Sequence, residues 1–240
     1  YYSIKYFRNI DYFVAITPDL KRHIKECGID ETRITHINNF AETETPEIPV
    51  NRADLNTPED AKVLITLSRL HKNKAIDTLL KALVDLPGVY AWLAGEGPLK
   101  EELQDLAAQL GVSERVRFLG WRDDRAALLQ AADICVFPSR WEPFGTVFVQ
   151  AWSQQIPLVT TASDGPRQFV RDEEDALMTE IDNVDALTKA IQRIIDDPDL
   201  ARKLVQNGLR RYQNEFTKEK TVSRYLDYYR DIRKREGLEG

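Results

Sequence analysis

From residue 61 onward the chain alternates short apolar runs with amphipathic stretches of helical period, and few folds accommodate that rhythm. Runs at 62–67, 89–94, 116–119, 133–137 and 157–160 read as strands. Between them Ile76, Leu79, Leu80 and Leu83 recur on one helical face, as do Leu99, Leu103, Leu106 and Leu110, and further helices read at 122–131 and 145–153. A short helix near 166–171 and an apolar run near 176–178 come next, and helices at 184–196, 199–213 and 217–233 close the chain. Strands joined by helices pair in parallel, because each helix is the crossover that returns the chain to the same end of the sheet. The expected fold class is α/β with a doubly wound parallel sheet.

The chain before residue 61 reads differently. Residues 11–17 predict a strand, Thr17 caps a helix that has Pro18 at its first position and stops at Gly28, and Ile34 to Ile37 reads as another short strand. Residues 41–60 are acidic and polar, with Pro46, Pro49 and Pro58, which is linker composition. A length of 240 residues accommodates one large domain, or one domain and part of another. The pattern favours the second: a complete α/β domain preceded by the tail of a different one. The chain begins Tyr1-Tyr2, so a fragment or processed product is expected.

Composition excludes several function classes. A net charge of −6 argues against a dedicated nucleic-acid binder. Cys27 and Cys135 are far apart and belong to no metal or redox spacing, as suits a reducing cytosol. No apolar run has the length of a membrane span, and no signal peptide is visible. The expected location is cytoplasmic, with the inner face of the membrane as an alternative.

The segment from Phe137 to Thr161 carries the densest chemistry. The strand run Ile134 to Phe137 ends at Pro138, a polar loop containing the carboxylate of Glu142 follows, and Gly145 opens a helix whose apolar face is Phe144, Val147, Phe148, Ala151 and Trp152. A loop at the C-terminal end of a parallel strand, feeding a helix N-terminus, is where open α/β sheets bind ligands, and free N–H groups there favour an anion. Glu142, Thr146 and Gln150 are four apart, which on a helix lines one face and separates the end residues by about 12 Å. A ligand with a polyol at each end and an anionic centre has that length; a nucleotide sugar has that form. A solvated loop carboxylate and a surface amide remain the alternative at this level.

Two other loops add to the same rim. Ser68-Arg69-Leu70-His71-Lys72-Asn73-Lys74 places three cations and a histidine before the Ile76 helix. Cations oppose the dipole at a helix N-terminus, which points to a compensating anion, although a solvated basic loop satisfies the same sequence. Gly95-Glu96-Gly97-Pro98 lets the backbone approach another group closely, or is a plain tight turn. Asp164-Gly165-Pro166 either approaches a ligand or starts a helix.

The run Pro138-Ser139-x-x-Glu142-Pro143-Phe144-Gly145, with Ala151 and Pro157 placed as they are, closely resembles the donor-site signature of the retaining glycosyltransferases of the GT-B fold, the group 1 class. The resemblance covers roughly residues 11 to 235. It implies a Rossmann-like donor domain over 61–235 that includes a C-terminal crossover helix, a linker over 46–60, and over 1–45 the tail of a second Rossmann-like, acceptor-binding domain. It also implies roles. Arg69 and Lys74 grip the donor diphosphate, Glu142 contacts the transferred sugar, and Gln150 stands where the family has a Glu that holds the ribose. Gly95, Glu96 and Gly97 form the turn that faces the nucleotide, and Arg117 and Phe118 lie on the strand whose end borders the base, where Phe118 reads equally as core. Phe144, Gly145 and Thr146 complete the donor side, the amides of the last two facing the phosphates. Ser68 and Ala75 stand where the family usually has Gly.

The resemblance therefore implies transfer of a sugar, with retention, from a UDP- or GDP-linked donor to a hydroxyl of a glycan or glycolipid, without a metal or other cofactor. The isolated chain is expected to bind donor and transfer nothing, the acceptor being held by the other domain. The wording Pro138 to Thr146, with Ser163-Asp164-Gly165-Pro166, looks most like bacterial lipopolysaccharide-core transferases, and peripheral membrane association of the parent enzyme fits that assignment. A nucleotide-sugar epimerase of the same fold and a non-catalytic nucleotide-sugar-binding module are the alternatives. Val222, Tyr225, Leu226 and Tyr229 form an apolar stripe on the last helix, expected to be partly exposed, packed on residues 1–27, or buried in self-association.

Overall fold

The computed structural model describes residues 9–41, 46 and 48–238, so part of the predicted 1–45 tail and of the linker lies outside the described residues. The chain divides into two compact units, one formed by residues 1–42 and 214–240, the other by residues 43–213. The last helix, expected with residues 61–235, is thus grouped with the start of the chain.

In the first unit β1 (Phe13–Ala15) and β2 (Ile34–His36) pair in parallel, Phe13 opposite Ile34. Between them runs α1 (Pro18–Glu26), capped by the Thr17 hydroxyl, which accepts from the Leu20 N–H. Phe13, Ala15, Ile24, Ile29 and Ile34 form its core.

The second unit is built on a six-stranded, all-parallel sheet. In chain order its elements are β3 (Lys62–Leu67), α2 (Ile76–Ala82), β4 (Val89–Ala94), α3 (Lys100–Gln109), β5 (Val116–Gly120), α4 (Arg125–Ala131), β6 (Ile134–Phe137), α5 (Thr146–Ser153), β7 (Leu158–Thr161), α6 (Pro166–Phe169), β8 (Leu177–Thr179), α7 (Val184–Asp196) and α8 (Pro198–Arg211). The strand order is β5-β4-β3-β6-β7-β8. The chain builds outward from β3 to β5, then returns to lay β6 against the other edge of β3 and builds outward again. This is the doubly wound, Rossmann-like architecture, and its switch point lies between β3 and β6.

The central strands read as continuous apolar runs because both faces are covered. All four residues of β6 and the last five of β3 are buried. Helices present one stripe: on α7 Leu187, Ala190, Ile191 and Ile194 are buried, and Asn183 caps the helix through the Ala186 N–H (2.9 Å). A short π-helix, Tyr212–Phe216, follows α8 and leads to the final helix, α9 (Lys218–Arg235), of the first unit. There the carbonyl of Glu215 accepts from Asn38 Nδ2 (3.1 Å) and that of Thr32 from Arg235 (2.7 Å). Val222, Leu226 and Tyr229 are exposed on α9.

Two backbone positions are sterically tight. Gly208 on α8 faces Trp152, and a Cβ there would lie 2.3 Å from Trp152 Cδ1. Trp152 cannot retreat easily, because it is buried and its Nε1–H donates to the Asp175 carbonyl (2.9 Å). Gly208→Ala should therefore lower stability by about 1–2 kcal/mol in urea unfolding, overpacking outweighing the better helix propensity. Ala75, just before α2, is fully buried at φ +50°, a left-handed conformation that a Cβ disfavours by roughly 1–2 kcal/mol. Glycine relieves that strain and gives up a buried methyl worth about 0.8 kcal/mol. Ala75→Gly should leave stability equal or higher, whereas Ala75→Val, β-branched in the left-handed region, should lower it by about 2 kcal/mol. A stable valine variant would contradict the assigned backbone.

Candidate functional site

The loops that leave β3 and β6 stand side by side at the switch point. The β3 loop is held by the neighbouring β4 loop. Ser68 N–H donates to the Ala94 carbonyl (3.1 Å), Leu70 N–H to that of Glu96 (2.9 Å), and Leu99 N–H to that of Leu70 (3.2 Å). Gly95 and Gly97 make this possible: a Cβ at either would lie 1.9 Å from the Ser68 carbonyl oxygen or 2.2 Å from that of Leu70. The glycine pair of the sequence thus serves the approach of two backbones. The Glu96 carboxylate turns to Lys100 one helical turn on (3.1 Å).

The two loops meet through their side chains. Lys74 Nζ donates to Glu142 Oε2, with the ammonium 5.8 Å from the Phe137 ring centroid. The two side chains are only 23% and 15% exposed, so solvent screens the pair less than a surface ion pair. The backbone of Glu142 is fixed from below, its carbonyl accepting from the Gly165 N–H (2.6 Å). Asp164-Gly165-Pro166 thus supports the Glu142 loop, and Pro166 starts α6.

A cavity of about 300 Å³ opens beside the pair. The β3 loop contributes Ser68, Arg69 and Lys74, the β4 end Gly95, and the β6 loop Glu142, Gly145 and Thr146. The remaining wall is the segment after β5, Trp121, Arg122 and Arg125. Arg122 is paired with Asp124 (2.5 Å), but the side chains of Arg69 and Arg125 have no hydrogen-bond or ion-pair partner among the described residues. A second recess of about 230 Å³ shares Arg69, Lys74 and Glu142 and adds Trp141. A larger groove of about 900 Å³ runs between α2 and α3 and reaches His71 and Lys72 of the β3 loop. Its acidic side is Glu101, Glu102 and Asp105, and its Arg140 is already bound to two carboxylates.

Several predicted site residues lie elsewhere. Arg117 donates to the carbonyls of Leu55, Asn56 and Glu114 (3.0 Å to Leu55 and to Glu114) and stacks 5.3 Å from the Tyr90 centroid, so it fastens the linker to the domain. Phe118 packs against the hydrophobic core. Phe144 is buried among Phe148 and Phe169, with centroids at 5.2 and 5.0 Å, and anchors the loop. Gln150 lies one turn along α5 from Thr146 and lines neither cavity. Glu142 lies in the loop before α5, so helical spacing relates Thr146 to Gln150 but not to Glu142. Of the other basic-loop residues, His71 caps the turn through the Asn73 N–H (3.3 Å).

Trp121, Arg122 and Arg125 were not among the residues the sequence singled out. A signal was available: Arg125 occupies the first position of α4, a cation against the helix dipole, as in the 69–74 loop. Cys135, beneath the site in β6, is fully buried, which pushes its thiol up to about 12 and makes it inert as a nucleophile.

Comparison with known proteins matches this fold. The family described as "Glycosyl transferases group 1" matches residues 47–211. The chain is 39% identical over 223 residues to the lipopolysaccharide core biosynthesis glycosyltransferase LpsE of Rhizobium meliloti, covering 93% of this chain and 65% of LpsE. It thus spans about two thirds of that relative. Among solved structures, sucrose-phosphate synthase from Thermosynechococcus elongatus superposes with a TM-score of 0.85 at 28% identity, over 96% of this chain and 60% of that one. Anabaena Alr3699/HepE, solved with UDP and glucose, gives 0.88 at 23% identity over 96% of this chain and 66% of that one, a likeness of fold. With a sheet that reverses at β3 and β6, a Lys74–Glu142 pair at the reversal and a family match across most of its length, the chain belongs to the group 1 glycosyl transferases.

Proposed function

We propose that this chain is the donor-binding half of a retaining glycosyltransferase that moves a sugar from a nucleoside-diphosphate sugar to a hydroxyl of a glycan or glycolipid. One observation carries the proposal: Arg69, Arg125 and Lys74 converge with Glu142 on one cavity at the switch point. Two arginine side chains without a partner among the described residues, beside a lysine shared with a single carboxylate, suit a doubly charged anion. The chemistry needs charge stabilisation on a departing diphosphate. Arg69 and Lys74 would supply it with the first free N–H groups of α5, at Thr146 and Val147, and no divalent metal would be required. Glu142 would orient the sugar hydroxyls; Gln150, one turn along α5 and outside the cavity lining, would meet the ribose only of a ligand that extends along that helix, where its amide both donates and accepts. Trp121, 71% exposed at the rim, offers a flat face for a base.

UDP is the proposed nucleotide, after the UDP bound by Alr3699/HepE, and a lipopolysaccharide-core glycolipid the proposed acceptor class, after LpsE. No helix of the described residues is long and apolar enough to cross a membrane. Action in the cytoplasm, at the inner membrane face, belongs to the proposal. An epimerase needs acid–base groups around the sugar, and Glu142 is the only carboxylate among the described residues lining the cavity.

Calorimetry with UDP in EDTA tests the phosphate assignment. Arg69→Ala and Lys74→Ala should each weaken binding more than tenfold, as charge-assisted contacts contribute about 1.5–3 kcal/mol. Unchanged affinity in both variants, or a strict need for magnesium, would contradict the metal-free site. In the full-length parent enzyme Glu142→Gln should depress sugar transfer more than UDP binding; equal losses would place Glu142 in the phosphate site or the fold.

A further inference from the structure

Arg140 lies two residues before Glu142, and its guanidinium lines neither of the cavities shared by Lys74 and Glu142. Its bonds run to three other parts of the unit. Nε meets Asp182, in the segment between β8 and α7 (2.7 Å); Nη2 meets Asp77 on α2 (2.7 Å); Nη1 donates to the Lys72 carbonyl (2.7 Å). Its own N–H donates to the Asn73 carbonyl (2.8 Å). Thr78 closes the ring by donating its hydroxyl to Asp182 (3.0 Å). Partial burial alone would raise the Asp77 carboxyl; the hydrogen bond and charge of Arg140 outweigh it and hold that group below the ordinary carboxylate range.

The segment gripped by Arg140 is the turn that aims Lys74. Lys72, Asn73 and Lys74 form a 3-10 turn, closed by Lys74 N–H to the His71 carbonyl (2.8 Å) and Ala75 N–H to the Lys72 carbonyl (3.3 Å). The turn ends in Ala75, held in the left-handed region that its Cβ disfavours. A strained turn persists only where its surroundings over-determine it. Here the surroundings are Arg140, with bonds to two successive carbonyls of the turn. The same residue starts the loop that carries Glu142, so one guanidinium braces both arms of the ion pair. The planar fork reaches two carboxylates and a carbonyl at once, a geometry a lysine ammonium lacks.

We propose that Arg140 is a positioning residue: braced by Asp77 and Asp182, it holds the 72–75 turn in its strained conformation and thereby sets Lys74 against Glu142 at the nucleotide cavity. The binding part of this inference rests on the function proposed above; the brace itself does not.

Two measurements separate the two. Hydrogen exchange on the chain without ligand should show Arg140→Gln lowering protection of the Lys74 and Ala75 amides at least tenfold, while the β4 amides keep theirs. Arg140→Lys should not restore it. Unchanged protection at Lys74 and Ala75 overturns the brace, whatever the chain binds. In UDP calorimetry Arg140→Gln should weaken binding about tenfold. In a Lys74→Ala background the same substitution should add less than twofold, since Arg140 acts through Lys74. Losses that multiply in the double variant would mean a general structural role and overturn the inference, as would a Lys74→Ala variant that binds UDP normally. Should Arg140→Gln fail to fold, Asp182→Asn removes one of its two supports and should give the same pattern at three- to fivefold. If the unsubstituted chain binds no UDP but Arg140→Gln loses protection at Lys74 and Ala75, the brace stands and the nucleotide assignment falls.

Discussion

The pairing of β6 with β3 governs the second unit. Leu64 and Ile65 lie in register with Ile134 and Cys135, although about seventy residues of chain and two other strands intervene. That contact reverses the direction in which strands are added and brings the loops leaving β3 and β6 side by side, with the cavity opening beside them. Most of the cavity hangs on those two loops, with the Arg69 and Lys74 cations on one and Glu142 and the start of α5 on the other; the segment after β5 adds Trp121 and Arg125. The pairing is secured by burial, because both strands are covered on both faces and a one-residue slip would expose no better alternative.

The site is rigid for reasons of backbone chemistry. Gly165 supports the Glu142 carbonyl, the turn before α2 is braced through two of its carbonyls, and Phe144 buries the middle of the β6 loop among aromatic rings. Oppositely charged groups are then held face to face in a partly desolvated place. Two loops of high sequence separation are thereby fixed within hydrogen-bonding distance, a degree of preorganisation that recognition of a charged ligand requires.

The fold was largely legible from the sequence because periodicity reports burial. The 62–67, 89–94 and 184–196 segments have the predicted boundaries, each marked by an unbroken apolar run or a clear helical stripe. The sixth strand, Leu177–Thr179, was visible only as an apolar run, since three residues are too few to show a period. Position along the chain did not fix where side chains point. Arg117 and Phe118 are on the expected strand, yet one turns to the linker carbonyls and the other to the core. Gln150 follows Glu142 by eight residues, but half of that interval is loop, so helical arithmetic did not carry across it. Trp121 and Arg125 escaped notice because they belong to no obvious motif, although Arg125 opposes a helix dipole just as the basic loop does. Ala75 sits in a left-handed conformation that glycine adopts more readily, which periodicity alone does not reveal.

The zipper between the β3 and β4 loops has a consequence for how such a cavity can diversify. Hydrogen bonds from Ser68, Leu70 and Leu99 extend the strand pairing past the edge of the sheet, and two glycines bring the chains into contact. The position of that wall of the cavity is consequently set by main-chain pairing, which is indifferent to most exchanges of side chain. The rim after β5 has no such pairing to its neighbour among the described residues: it carries the large side chains of Trp121, Arg122 and Arg125 on the segment that leads into α4. Sequence drift can therefore retune the rim while the zippered wall stays constant, so that the fixed and the adjustable parts of the cavity belong to different strands.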